Sequence, residues 1–182
     1  MDTTPGTLWT VGHSTRPWAE LRAMLDRVGV TCLVDVRRYA GSRRNPQYSP
    51  DALRAELGPA YLALPGLGGR RTPVPGTPNG AWRVEAFRGY ADHLASPEYV
   101  AAREALVARA QAERCVVMCA EAVWWRCHRR LIADDLTLRG WRVLHLMGEG
   151  RQVPHPLHSD ARLVDDVVRY PPPEPAPTTT SS

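Results

Sequence analysis

Five short runs rich in β-formers recur along this chain, Thr7–Val11, Cys32–Val36, Tyr61–Leu64, Cys115–Cys119 and Arg142–Leu146, with segments of helical period between them. Few architectures accept that alternation. Parallel strands need crossovers of a dozen or more residues, and a helix is the usual crossover. The predicted fold class is therefore α/β: a single domain over residues 1–170 with a mostly parallel five-stranded sheet and helices on both faces, Rossmann-like in outline.

The intervening segments carry their own start and stop signals. Pro17 suits a helix start, and Leu21, Met24, Leu25 and Val28 fall on one face before Gly29. Helices are further predicted over Asp51–Leu57, Glu85–Leu94, Pro97–Ala112, His128–Leu138 (ending at Gly140) and Asp160–Arg169. Arg37–Ser49 and Pro65–Arg83 show no apolar period and read as loops, long enough to suggest function. Residues 171–182 are rich in Pro and Thr and are expected to be a disordered tail.

Composition narrows the function classes. No apolar run approaches the roughly 20 residues of a membrane span, and the acidic start Met1-Asp2 is unlike a signal peptide, so a cytoplasmic location is expected. Cys32 and Cys115 lie in apolar runs and read as small core residues. Cys119 and Cys127 sit among His, Glu and Arg and are expected to be reduced and metal-free. No cofactor is expected, because neither Gly68-Gly69 nor Gly12-His13-Ser14 completes a phosphate-loop or dinucleotide fingerprint. All 23 basic residues are arginine, and residues 37–88 hold nine of them against three acids.

In an open parallel sheet, ligands bind beyond the carboxyl ends of the strands. The five strand ends lead into Gly12-His13-Ser14-Thr15-Arg16, Asp35 with Arg37-Arg38, Leu67-Gly68-Gly69-Arg70-Arg71, Cys119 with Glu121, and Gly148-Glu149. The motifs Gly12-His13-Ser14-Thr15, Asp35-Val36-Arg37, Ser42-Arg43, Leu67-Gly68-Gly69, Phe87-Arg88-Gly89-Tyr90, and Met118-Cys119-Ala120-Glu121 with Cys127-His128-Arg129 resemble the bacterial family called domain of unknown function 488, over about residues 7–146. The resemblance implies a fold and a site. It implies no activity.

The leading functional expectation is a hydrolase acting on nucleic acid, most specifically a DNA repair glycosylase cleaving the N-glycosidic bond of a damaged base. Asp35 or Glu121 would supply the carboxylate, with His13 beside it. Arg16, Arg37, Arg38, Arg43, Arg44, Arg70, Arg71 and Arg88 would grip phosphates and Tyr48 would stack on a base. Ser14, Cys119, Trp124, Trp125, Cys127, His128 and Arg129 would line the pocket. Three alternatives stay open: a metal-dependent nuclease using Asp35, Glu121 and Glu149, a thiol enzyme acting on a small anionic metabolite through Cys127, and a non-catalytic nucleic-acid-binding module. For the thiol enzyme, His13 is the expected base, since His128, adjacent on a helix, should point away from Cys127.

Overall fold

The computed structural model describes residues 6–41 and 43–173. Parallel strands β1 (Thr7–Gly12), β2 (Cys32–Asp35), β3 (Tyr61–Ala63), β4 (Cys115–Cys119) and β5 (Arg142–Leu146) form one sheet. A sixth strand, β6 (Gln152–Pro154), pairs antiparallel with β5, and the order is β3-β2-β4-β1-β5-β6. The fold is thus α/β as the alternation requires, with one strand more than expected. That strand escapes periodicity because it has three residues, reached through a tight turn in which Glu149 and Gly150 take positive φ.

Period-two alternation sorts the strand side chains between two layers. Cys115, Val117 and Cys119 of β4 join Cys32 and Val34 on one face, under α3 (Glu85–His93), α4 (Pro97–Ala112) and α5 (Arg129–Leu138). Val116 and Met118 join Trp9, Val11 and Leu33 on the other face, under α1 (Trp18–Arg27) and α2 (Pro50–Leu57). The connection from β1 to β2 passes over β4, and that from β4 to β5 passes over β1. Crossovers leaving in opposite directions open a crevice at the carboxyl ends of β1 and β4.

One predicted element is wrong. Residues 160–169 form no helix but a hairpin of β7 (Arg162–Val164) and β8 (Val167–Arg169). Asp165 and Asp166 at its tip both have positive φ, the left-handed pair a two-residue hairpin turn needs, and the flanking valines are β-branched. Arg139 from the end of α5 locks the turn by donating to the Asp166 carboxylate and carbonyl. Of the expected tail, residues 174–182 lie outside the described residues. Among the described residues no helix is long and apolar enough to cross a membrane.

Candidate functional site

A cleft of about 330 Å³ opens at the carboxyl ends of β2 and β4. Arg37, Arg38 and Tyr39 enter it from the segment after β2, and Gly69 and Arg70 from the loop after β3. Phe87 and Tyr90 come from α3. Cys119, Glu121, Arg126, Cys127 and His128 come from the end of β4 and the loop before α5. Segments far apart in sequence do meet at one edge of the sheet, as strand topology requires.

Glycines make that meeting possible. A Cβ on Gly12 would stand 1.8 Å from the Glu121 carbonyl oxygen, so β1 and the loop after β4 touch backbone to backbone. A Cβ on Gly68 would overlap the backbone of Arg38, and one on Gly69 would stand 2.7 Å from His128 Nδ1. Gly89 lets α3 press on the Arg71 carbonyl in the same way. These close approaches fix Gly at four of the motif positions.

At the floor of the cleft, Cys127 Sγ lies 3.2 Å from Cys119 Sγ and 3.6 Å from His128 Nδ1, and the Arg129 amide donates to it at 3.5 Å. Cys127 stands two residues before α5 and accepts from the amide of its first residue, Arg129, at a helix end where free amides favour negative charge. Burial opposes the thiolate, but contact with Cys119, the His128 ring and nearby Arg129 together hold the Cys127 thiol well below the ordinary range. Cys119 shows the converse. Its contact with Cys127 and its burial keep its thiol well above the ordinary value, so it retains the shared proton. The ligand atoms of Cys119, Cys127 and His128 all lie within 4.8 Å of one another, the one such trio of metal-ligating side chains among the described residues.

His128 therefore faces Cys127, contrary to the sequence expectation. Cys127 is still extended (φ −126°, ψ 149°), so the two side chains do not diverge as neighbours on a helix would. His13, the expected base, is occupied elsewhere. Its Nδ1 donates to the Ser14 carbonyl, its Nε2 accepts from Arg37, and its ring stacks on Tyr48 at 4.1 Å. Burial pushes it down to about 4, which keeps it neutral.

Asp35 is equally committed. Oδ1 accepts from the Arg37 amide and Nε, and Oδ2 accepts from Arg37 Nη2 at 2.7 Å and the Tyr61 hydroxyl at 2.8 Å. The carboxylate is 2% exposed and does not line the cleft. Its geometry is that of a buried ion pair bracing the β2 end. Glu121 is exposed and is the one carboxylate among the cleft-lining residues.

The arginines divide. Arg37 is buried on Asp35, Arg71 is held bidentate by Glu98, and Arg16 is tied to the Gly12 carbonyl and Glu20. Arg38 and Arg70 are exposed, flank Tyr39 and line the cleft, whereas exposed Arg43 and Arg44 and half-buried Arg88 do not line it. Tyr48 is fully buried, its hydroxyl donating to the Arg16 carbonyl, so it offers no stacking face to a base. Ser14, Trp124, Trp125 and Arg129 also lie outside the cleft lining: Trp124 is buried and Trp125 is 45% exposed. Ser42 lies outside the described residues.

Sequence reasoning missed the support behind the loop from Ala120 to His128. Arg129 Nη2 donates to the Glu121 carbonyl and Nη1 to the Thr10 hydroxyl. Thr10 contacts His145 Nδ1 at 2.6 Å, His145 Nε2 contacts His155 Nδ1 at 3.0 Å, and His155 Nε2 contacts Asp134 at 2.8 Å. These contacts form one continuous relay from Arg129 through Thr10, His145 and His155 to the Asp134 carboxylate. Burial, with His155 and Arg129, pushes His145 down to about 3. Trp124 stacks flat on His145 at 4.4 Å, so the relay also seats the loop. Two buried histidines near the sheet edge were a usable sequence signal, but their partners come from β1 and α5.

The sequence profile described as Domain of unknown function DUF488 matches residues 17–136. The chain belongs to this family. The DUF488 match spans α1 through most of α5 and thus both cysteines of the cleft. No curated protein and no solved structure matches the chain.

Proposed function

We propose that this DUF488 domain is a thiol-dependent enzyme in which the Cys127 thiolate attacks an electrophilic group of a small anionic substrate. The observation that carries the reading is the floor of the cleft, where Cys127 Sγ meets Cys119 Sγ, His128 Nδ1 and the Arg129 amide at the start of a helix. Arg38, Arg70 and Arg126 rim the cleft against a single carboxylate, Glu121, which favours an anionic ligand. A volume of about 330 Å³ suits a small molecule or one nucleotide.

The test is alkylation of the reduced protein with iodoacetamide over a pH series, with peptide mapping. Cys127 should label first, and at pH values well below those at which a free thiol reacts. Labelling of Cys127 no faster than in the unfolded chain removes this reading.

A second reading keeps nucleic-acid hydrolysis, the DNA glycosylase included, with Glu121 in place of Asp35. It is favoured by one observation: Glu121 shares the cleft with the aromatic walls Phe87 and Tyr90, beneath exposed arginines. Incubation with oligonucleotides carrying modified bases separates the two. Base release lost in Glu121→Gln and kept in Cys127→Ser supports the second reading, and the reverse pattern supports the first.

A further inference from the structure

We propose that Cys119 and Cys127 form a dithiol centre that exchanges with a small disulfide bearing carboxylates, Cys127 attacking and Cys119 resolving. The inference rests on the reading of Cys127 as nucleophile and names its substrate class. A hydrolytic thiol enzyme has no need of a second thiol against its nucleophile. An exchange enzyme does, and here the second sulfur stands 3.2 Å from the first.

The reaction balances without any further reagent. The Cys127 thiolate attacks one sulfur of the disulfide, forming a mixed disulfide and expelling one thiolate. Cys119 then loses its proton to that leaving thiolate and attacks Cys127 Sγ, which closes the internal disulfide and expels the second half as thiolate, protonated from solvent. Counting the proton that Cys127 gave to solvent on ionising, the dithiol loses two protons and two electrons, and the small disulfide gains both as two thiols. A disulfide bond is about 2.05 Å long, so the sulfurs must approach by about 1.2 Å from their present contact. Cys119 ends β4 and Cys127 lies between the short turn Trp124–Arg126 and α5, so neither sulfur stands inside a helix.

Substrate charge follows from the rim. Arg38, Arg70 and Arg126 present guanidinium groups that pair with carboxylates, and Phe87 and Tyr90 give an apolar wall for the sulfur atoms. The chain contains its own control. Cys32 and Cys115 face each other across β2 and β4 with no exposed surface, and the recess that Cys32 lines offers one arginine, Arg22, beside Asp26 rather than an arginine rim.

The experiment treats the reduced full chain with oxidised glutathione or, as a cationic counterpart, cystamine, and follows intact mass and disulfide mapping. Wild type should lose two hydrogens, retain no glutathione and show a Cys119–Cys127 link. Cys119→Ser should stop at glutathione attached to Cys127. Oxidised glutathione should react at least about tenfold faster than cystamine at low salt, the advantage expected of electrostatic steering. A mixed disulfide as persistent in wild type as in Cys119→Ser overturns the proposal, as does a link to Cys32 or Cys115. Should the variant not fold, the link mapped in wild type decides. Cys127 that alkylates readily yet ignores both disulfides sinks this inference alone; Cys127 inert to iodoacetamide as well sinks the proposed function.

Discussion

Strand β4 carries a cysteine at each end, and each has a partner: Cys115 meets Cys32 at the amino end, and Cys119 meets Cys127 at the carboxyl end. Both pairs are polarised the same way, one thiol lowered and one raised. Contact with Cys115 and Arg109 outweighs burial and brings Cys32 to about 7, while Cys115 is pushed far up. Acidity therefore does not distinguish the pairs. Surroundings do. Cys32 lines a recess with Arg22 beside Asp26 and has no exposed surface, whereas Cys119 and Cys127, 5% and 2% exposed, line the cleft with Arg38, Arg70 and Arg126 at its rim.

The sharpest way to break that comparison is to exchange the sulfurs. In native protein, Cys127→Ser should reduce iodoacetamide labelling by about a hundredfold or more, the scale that separates a depressed thiolate from an inaccessible thiol. Cys32→Ser should leave labelling unchanged; native-state labelling of Cys32 at a rate near that of Cys127 would erase the distinction.

Asp35→Asn comes next and acts through the fold. It strands Arg37, whose guanidinium is 6% exposed, without its partner charge, a loss of about 3–5 kcal/mol. Urea unfolding should show this cost at neutral pH, with Cys127 still reactive in the fraction that remains folded. A variant of wild-type stability that has lost its activity would return Asp35 to catalysis.

Acid should weaken the carboxyl end first. His13 and His145 stay neutral in the fold, at about 4 and about 3, below the value of about 6.5 they regain on unfolding. The unfolded chain therefore binds more protons, and stability falls as pH drops from about 6.5 towards 4, by about 1.4 kcal/mol per pH unit for each histidine. Denaturant midpoints measured across that window check it; stability that rises on acidification reverses the assignment of neutral rings.

Within the cleft, Cys119→Ala removes one of the contacts that hold the Cys127 proton off. The pH of half-maximal labelling should rise by about one unit, the usual size of a single hydrogen-bond contribution. An unchanged profile would mean that His128 and the helix terminus suffice. The smallest effect belongs to the closed pair. Cys115→Ala leaves a small void and should cost about 1 kcal/mol in urea unfolding, with no change in the Cys127 profile.

The five parallel strands and their order of appearance were legible in the sequence because they rest on local periodicity, which neighbours in the chain establish unaided. The full set of Asp35 partners was not legible, because nothing in sequence shows that Tyr61, 26 residues on, donates to it. His128 was misjudged because the helix begins one residue later than a uniform helical reading assumed, at Arg129. The hairpin at residues 162–169 was misjudged because Asp-Asp between valines reads as polar helix surface until its backbone is seen to be left-handed.

By itself, then, the sequence determined an α/β domain with its polar motifs at the strand ends, since hydrophobic period and turn residues act over a few positions. Only the tertiary structure decided which of those motifs work together. The order β3-β2-β4-β1-β5-β6 puts the Cys119 loop under Arg38 and Arg70 and ties Arg129 to Thr10, 119 residues away. Contacts at that separation depend on how strands are permuted in the sheet, and a permutation leaves no trace in local pattern.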